Sequence, residues 1–203
     1  MGQLSRRIFC STLVRSTIVA TLLSLPALPV HAATTTWQID PAHTAAQFAV
    51  KHLLISTVRG EFKGVTGAVV WDDQDISKST INVTIDATTV DTGTAMRDAD
   101  LKSPNYFDVV KYPTITFKST KVEQAGASKL KVTGDLTIHG VSKSVVLDVD
   151  GPSAAIKDPW GNTRVGIGAT TKVNRQDFGV SGGAGAVGDD ITITIDMEMT
   201  KQK

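Results

Sequence analysis

The feature that most constrains this chain is a period of two in its apolar residues, repeated from one end of the mature sequence to the other. The clearest run closes the chain: Ile191-Thr192-Ile193-Thr194-Ile195-Asp196-Met197-Glu198-Met199. Successive side chains of a strand point to opposite faces, so such a run has one dry face and one wet face. The same alternation carries Ala46, Phe48 and Val50; Val65, Gly67, Val69 and Trp71; and Ile81, Val83 and Ile85. It continues in Ile115 and Phe117 after Pro113, in Leu130, Val132, Gly134, Leu136 and Ile138, in Val145, Leu147 and Val149, and in Val165, Ile167, Ala169, Thr171 and Val173. Turn-rich segments separate these runs, among them Asp72-Asp73-Gln74-Asp75, Ala125-Gly126-Ala127, His139-Gly140 and Asp158-Pro159-Trp160-Gly161-Asn162. Many short strands with one wet face predict an all-β antiparallel barrel or sandwich. Residues 94–107 lack the alternation, contain Ala95, Met96, Ala99 and Leu101, and meet Ser103-Pro104; they predict one short helix near residues 95–102. No linker or repeat divides residues 33–203, which read as one domain.

Residues 1–32 follow a different logic. Arg6, Arg7 and Arg15 carry positive charge with no acid, residues 18–30 are almost wholly apolar, and Val30-His31-Ala32 precedes Ala33. Basic, apolar and then small residues predict a cleaved secretory signal, with an apolar core too short to span a bilayer comfortably. Ser5-Arg6-Arg7-Ile8-Phe9 resembles a twin-arginine signal, but an ordinary basic leader explains the pair, and the general secretory route is the preferred reading. The single cysteine, Cys10, lies in this leader, so the mature chain has no disulfide, no thiol nucleophile and no thiolate metal site. With the leader removed, 21 basic against 20 acidic residues becomes a slightly acidic balance. Nothing there favours a nucleic-acid partner.

Motifs for chemistry are weak. Gly179-Val180-Ser181-Gly182-Gly183 matches a nucleophile elbow, but Ala184-Gly185-Ala186-Val187-Gly188 forms no following helix, and a flexible hairpin loop explains the glycines better. The same loop lacks the lysine of a phosphate cradle. His43, His52 and His139 show no metal-binding spacing, and Asp72, Asp73 and Asp75 do not fit a calcium loop; they read as a solvated turn. Arg97-Asp98 and Asn174-Arg175-Gln176-Asp177 suit loop pinning better than head-group binding. Gly67 and Gly134, on inward-facing positions, mark either a wall curving around a cavity or local bulges. Phe48, Phe62, Trp71, Phe107, Phe117, Trp160 and Phe178 are candidates for a wider pocket lining, or they simply fill the core.

The order of short motifs is more specific than any one of them. Trp37-x-Ile39-Asp40-x-x-His43 and Phe48-x-Val50-x-His52 are followed by Ser56-Thr57-Val58-Arg59-Gly60-x-Phe62, Asp91-Thr92-Gly93, Arg97-Asp98-x-x-Leu101-x-Ser103 and Tyr106-Phe107-Asp108. Tyr112-Pro113-Thr114-Ile115-Thr116-Phe117, Gly134-Asp135-Leu136-Thr137-Ile138-His139-Gly140-Val141 and Asn174-Arg175-x-Asp177-Phe178-Gly179 complete the series. This succession resembles the YceI-like proteins over essentially the whole mature chain. Ser142 stands where threonine is expected and Tyr106 where phenylalanine is common. The resemblance implies an extended, lipocalin-like antiparallel barrel of about eight strands with a long apolar tunnel. It also implies a periplasmic carrier, often dimeric, of polyisoprenoids or other long-chain amphiphiles, a quinone among them. It implies no catalytic residue, no metal and no cofactor beyond such a ligand.

Alternation, rather than the resemblance, selects the candidate lining: Phe48, Val50, Phe62, Val69, Trp71, Ile81, Val83, Phe107, Phe117, Leu136, Ile138, Leu147, Ile167, Phe178, Ile193 and Ile195. His52, Arg97, Asp98 and Asn174 are the candidate polar mouth. Two alternatives stand beside the carrier: an enzyme acting on a bound lipid through the histidines or Ser181, and a stress protein with an incidental cavity.

Overall fold

In the computed structural model the described residues are 1–2 and 34–203. The export signal expected over residues 1–32, with its cleavage site between Ala32 and Ala33, falls outside them apart from its first two residues. Eleven strands follow: β1 (Thr34–Ile39), β2 (Ala45–His52), β3 (Ser56–Phe62), β4 (Val65–Asp72), β5 (Thr80–Asp86), β6 (Thr114–Gly126), β7 (Lys129–Ile138), β8 (Val141–Asp150), β9 (Ile156–Lys157), β10 (Thr163–Asn174) and β11 (Val187–Lys201). The helix α1 (Ala95–Lys102) lies between β5 and β6, where the sequence predicts it. Among the described residues no helix is long and apolar enough to cross a membrane.

Eight strands close into an antiparallel barrel in the order β11–β1–β4–β5–β6–β7–β8–β10, and β10 pairs back onto β11. The β10–β11 pairing runs unbroken from Arg164↔Thr200 to Asn174↔Asp190. β11 is long enough, roughly 50 Å at strand rise, to take β1 on its other side at Met199 and Lys201 and β2 from Val187 to Asp196. The β2–β3 hairpin therefore extends the wall beyond the end of β1, and β9 adds a short edge to β10. β1 and β3 are strands that alternation does not pick out, because Thr34-Thr35-Thr36 and Ser56-Thr57 offer few apolar positions.

Local chemistry sets the turns. His139 (φ 52°) and Gly140 (φ 74°) both adopt left-handed geometry and join Ile138 to Val141 by two residues, the turn type that matches strand twist. Gly134 pairs with Ser119, next to a register shift between Ser119 and Lys121. A Cβ at Gly134 would lie 2.4 Å from the Phe117 ring. The glycine thus lets an inward phenylalanine lie flat across the neighbouring strand, beside a bulge. Asp72 is not part of a solvated turn: it is 3% exposed, and its carboxylate accepts hydrogen bonds from the backbone N–H groups of Gln74 (2.9 Å) and Asp75 (2.9 Å).

The interior has two unlike halves. Around β1, Ile39, Val69, Val122, Val132, Val165 and Met199 are buried and fill the barrel. At the same end Arg164 draws three carboxylates together: Asp40 (2.6 Å), Glu198 (2.6 Å) and Asp158 (2.8 Å). Asp158 also accepts from the backbone of Trp160 and Asn162 and from the Asn162 amide. The Arg164 guanidinium holds the Asp40 carboxyl down to about 2. Burial pushes Asp158 upward, but the hydrogen bonds from Arg164 and Asn162 outweigh it and leave the group well below the ordinary carboxylate range.

A carboxylate whose folded pKa is depressed stabilises the fold above its ordinary pKa, and that contribution drains away as pH falls through the folded value. Urea midpoints followed by tryptophan fluorescence should therefore stay level from pH 7 to about 4 and drop from about 4 to about 2. In Arg164→Met the acid drop should shrink while the midpoint at pH 7 also falls. Parallel acid profiles for the two proteins would remove the network from the account.

Candidate functional site

The other half of the barrel encloses a cavity of about 180 Å³. Every phenylalanine among the described residues lines it: Phe48, Phe62, Phe107, Phe117 and Phe178. Phe48 and Phe62 lie 5.6 Å apart, and Phe107 meets Phe62 edge to face at 5.3 Å, so one aromatic wall runs from β2 through β3 to the segment after α1. Val50, Ile81, Val83, Leu136, Ile138, Leu147, Ile167, Ile193 and Ile195 face the same space. Two candidate lining residues do not. Val69 pairs with Trp37 and Ile81 and is buried in the packed half, and Trp71 packs against the core from the same end. Trp160 stands 81% exposed in the β9–β10 turn and also takes no part.

Two segments cover this end of the barrel. One runs on from α1 and contributes Leu101, Tyr106 and Phe107; the other follows β10 and contributes Arg175, Phe178 and Val180. They meet where the Tyr106 ring lies on Gly182 and Gly183. A Cβ at Gly183 would sit 2.6 Å from the Tyr106 hydroxyl, so only glycine allows this contact.

Arg175 holds the second segment in place. It is 6% exposed. Its Nε donates to the Gly188 carbonyl (3.0 Å), one terminal nitrogen to Val180 (2.8 Å) and Gly182 (2.7 Å), and the other to Val187 (3.1 Å), while the Asp189 carboxylate forms an ion pair with it at 3.1 Å. Four of the five N–H donors of the guanidinium are thereby spent on backbone carbonyls. Arg175 borders the cavity, but its main role is to hold this segment. Thr171 is committed too, its hydroxyl donating to the Val146 carbonyl at 2.8 Å. The remaining polar side chain facing the cavity is the Tyr106 phenol; Gln47 is exposed and alternates with the inward Ala46 and Phe48.

None of the four residues expected at a polar mouth lines the cavity, and three of them are spent on the protein's own loops. Asp98 accepts from the Thr92 backbone N–H (2.8 Å), and Arg97 donates to the Thr92 hydroxyl (2.7 Å) and carbonyl (2.9 Å); both fix the approach to α1. Asn174 caps the 3₁₀ turn Arg175–Phe178 by accepting from the Gln176 N–H at 2.9 Å. His52 ends β2, half-buried between Ser56 and Val187. Arg175 and Tyr106 are the site residues that alternation overlooks, because neither sits in a strand; their signal is their place inside the Asn174–Gly179 and Tyr106–Asp108 motifs.

The catalytic alternatives find little footing. Ser181 is exposed in a coil followed by turns rather than a helix. His139 meets the Tyr112 ring edge to face at 4.7 Å and lies beside Gly179; among the described residues no hydrogen bond joins it to Ser181. Asp40, His43 and Glu198 do converge, their ligating atoms within 4.8 Å of one another, a grouping that their separation in sequence conceals. Arg164 already supplies the positive charge between Asp40 and Glu198, so the cluster is an ion-pair network.

A family profile described as a YceI-like domain matches residues 37–199. The chain is 38% identical over 170 residues to a UPF0312 protein of Vibrio parahaemolyticus, covering 82% of this chain and 89% of that protein. The crystal structure of a Campylobacter jejuni YceI protein superimposes with a TM-score of 0.66 at 34% identity, over 75% of this chain and 90% of that one. A polyisoprenoid binding domain from Saccharophagus degradans shares the fold, with a TM-score of 0.61 at 14% identity over 82% of this chain and 98% of that one.

Lysine keeps the charge of Arg175 but has three donors rather than five. Arg175→Lys should leave buried carbonyls unpaired and lower stability by about 2–4 kcal/mol. Amide exchange should accelerate most over residues 180–188. Unchanged exchange in that segment would show that the clamp is dispensable.

Proposed function

The chain belongs to the YceI-like family, and on that premise we propose that it is a non-catalytic binding protein for a polyisoprenoid or similar long-chain amphiphile, such as a quinone. The observation that carries this reading is the composition of the cavity wall. Aliphatic and phenylalanine side chains from β2, β3, β5, β6, β7, β8, β10 and β11 face it, and the two polar residues Thr171 and Arg175 donate to backbone carbonyls of the protein itself. Such a wall favours hydrocarbon and offers a charged or strongly polar substrate nothing in exchange for its lost hydration.

Magnitudes support a tail rather than a small ligand. Burial is worth about 0.8 kcal/mol per methylene-sized group, so each five-carbon isoprene unit contributes roughly 2–3 kcal/mol after ordering costs. Micromolar affinity needs about 8 kcal/mol, which a few units supply without any acid, base or metal. Specificity would come from the width and length of the cavity. The Tyr106 hydroxyl is the group placed to meet a polar head. The S. degradans domain's described ligand class points the same way. The export signal expected over residues 1–32 would place the protein outside the cytoplasm, in the periplasm, where a carrier or store would keep such a lipid in solution.

Organic-solvent extraction of the purified protein followed by mass spectrometry should release a long-chain apolar compound, and the stripped protein should take up a fluorescent polyprenol. Ile193→Asp places a charge on the cavity wall and should reduce uptake at least tenfold, about 1.4 kcal/mol or more. A stripped protein that binds no polyprenol, or a folded Ile193→Asp that binds as well as the parent, would refute the carrier reading.

A further inference from the structure

The β2–β3 turn is built from residues that suit neither its geometry nor its surroundings. Leu53 (φ 49°) and Leu54 (φ 63°) both occupy the left-handed region, and the Ile55 N–H closes the turn onto the His52 carbonyl at 3.2 Å. A turn with both central φ values positive favours Asn-Gly, and bulky side chains there are strained. These side chains are also in water: Leu54 is 83% exposed and Ile55 84%. The sequence thus accepts strain and exposure together at one point, a combination that marks a functional constraint.

The surroundings say what that point meets. From Lys51 to Gly60 the hairpin carries no acid. Lys51 pairs with Thr57 and Ala49 with Arg59, which puts the exposed Lys51 and Arg59 on one outward face as diagonal neighbours. The Leu53 N–H donates to the Ala186 carbonyl at 2.7 Å, so the tip is tied to the glycine-rich segment that Tyr106 covers. Met96 on α1 and Val110 beyond Phe107 are exposed apolar residues of the other covering segment.

We propose that the β2–β3 tip docks on an anionic lipid surface. Leu53, Leu54 and Ile55 enter the interface, Lys51 and Arg59 meet phosphate head groups, and the covered end of the barrel is held against the bilayer. Apolar side chains flanked by basic ones are the arrangement that binds such surfaces. The meaning of docking, transfer of a tail between bilayer and cavity, rests on the carrier reading; the docking itself rests on the tip.

Flotation of the purified protein with phosphatidylglycerol/phosphatidylethanolamine vesicles tests this, with phosphatidylcholine vesicles as the neutral comparison. The parent should float with the anionic vesicles, less so at high salt. Leu53→Asn with Leu54→Gly relieves the turn strain, so it should raise the urea midpoint while cutting vesicle binding about tenfold or more. Lys51→Gln with Arg59→Gln should weaken binding about fivefold per charge. A parent that does not float, or an Asn-Gly variant that floats as well as the parent, overturns the proposal. So does an Asn-Gly variant that turns a dimer into a monomer in the absence of vesicles, since the tip would then be a contact between copies of this chain. Uptake of a dispersed fluorescent polyprenol is measured alongside. If uptake fails while flotation follows the expected pattern, docking stands and the carrier reading falls.

Discussion

Strand β11 satisfies its backbone groups against β10 along one edge and against β2 and then β1 along the other. That sharing of one strand among three partners closes the sheet and removes the free edges it would otherwise have there. It also sets where the interior can be hollow. Near β1 the wall is an eight-strand ring small enough for side chains to fill. Near β2 the hairpin carries the wall outward, and the same alternating side chains no longer meet across the middle. Packed base and cavity therefore follow from one topological fact rather than from two kinds of sequence.

Much of this was legible in the residues. The long alternating runs give β6, β7, β8, β10 and β11, and their apolar positions are the ones that face inward. The order of motifs indicated an eight-strand lipocalin-like barrel, and the closed ring agrees with it. Alternation reports only which face a residue is on. It could not tell Val69, in the filled half, from Ile81, its cross-strand neighbour at the cavity, because both are inward. Nor could it separate the tryptophans, which sit at the base and on an outer turn, from the phenylalanines that surround the hollow. Loop pinning, the preferred reading of Arg97, Asp98 and Asn174, agrees with the structure, where their partners Thr92 and Gln176 lie only a few residues away, and their alternative place at a polar mouth does not.

Buried charge is used in one way at each end. At the base, Arg164 neutralises three carboxylates from separate segments. At the cover, Arg175 gathers four backbone carbonyls and Asp189, so that a glycine-rich loop with little propensity of its own acquires a fixed shape. A guanidinium suits both tasks because its donors are many and planar. Both arginines are spent mainly on holding the fold together: Arg164 through ion pairs and Arg175 through backbone carbonyls.

The account turns on whether the hollow admits an extended hydrocarbon tail. The affinity of the stripped protein for polyprenols of increasing length measures this most directly. Tail burial predicts that affinity rises with each added isoprene unit by about tenfold or more and then levels off once the tail outgrows the cavity. An affinity that is the same for one unit as for many would mean that the tail stays outside, and the barrel would then be no carrier.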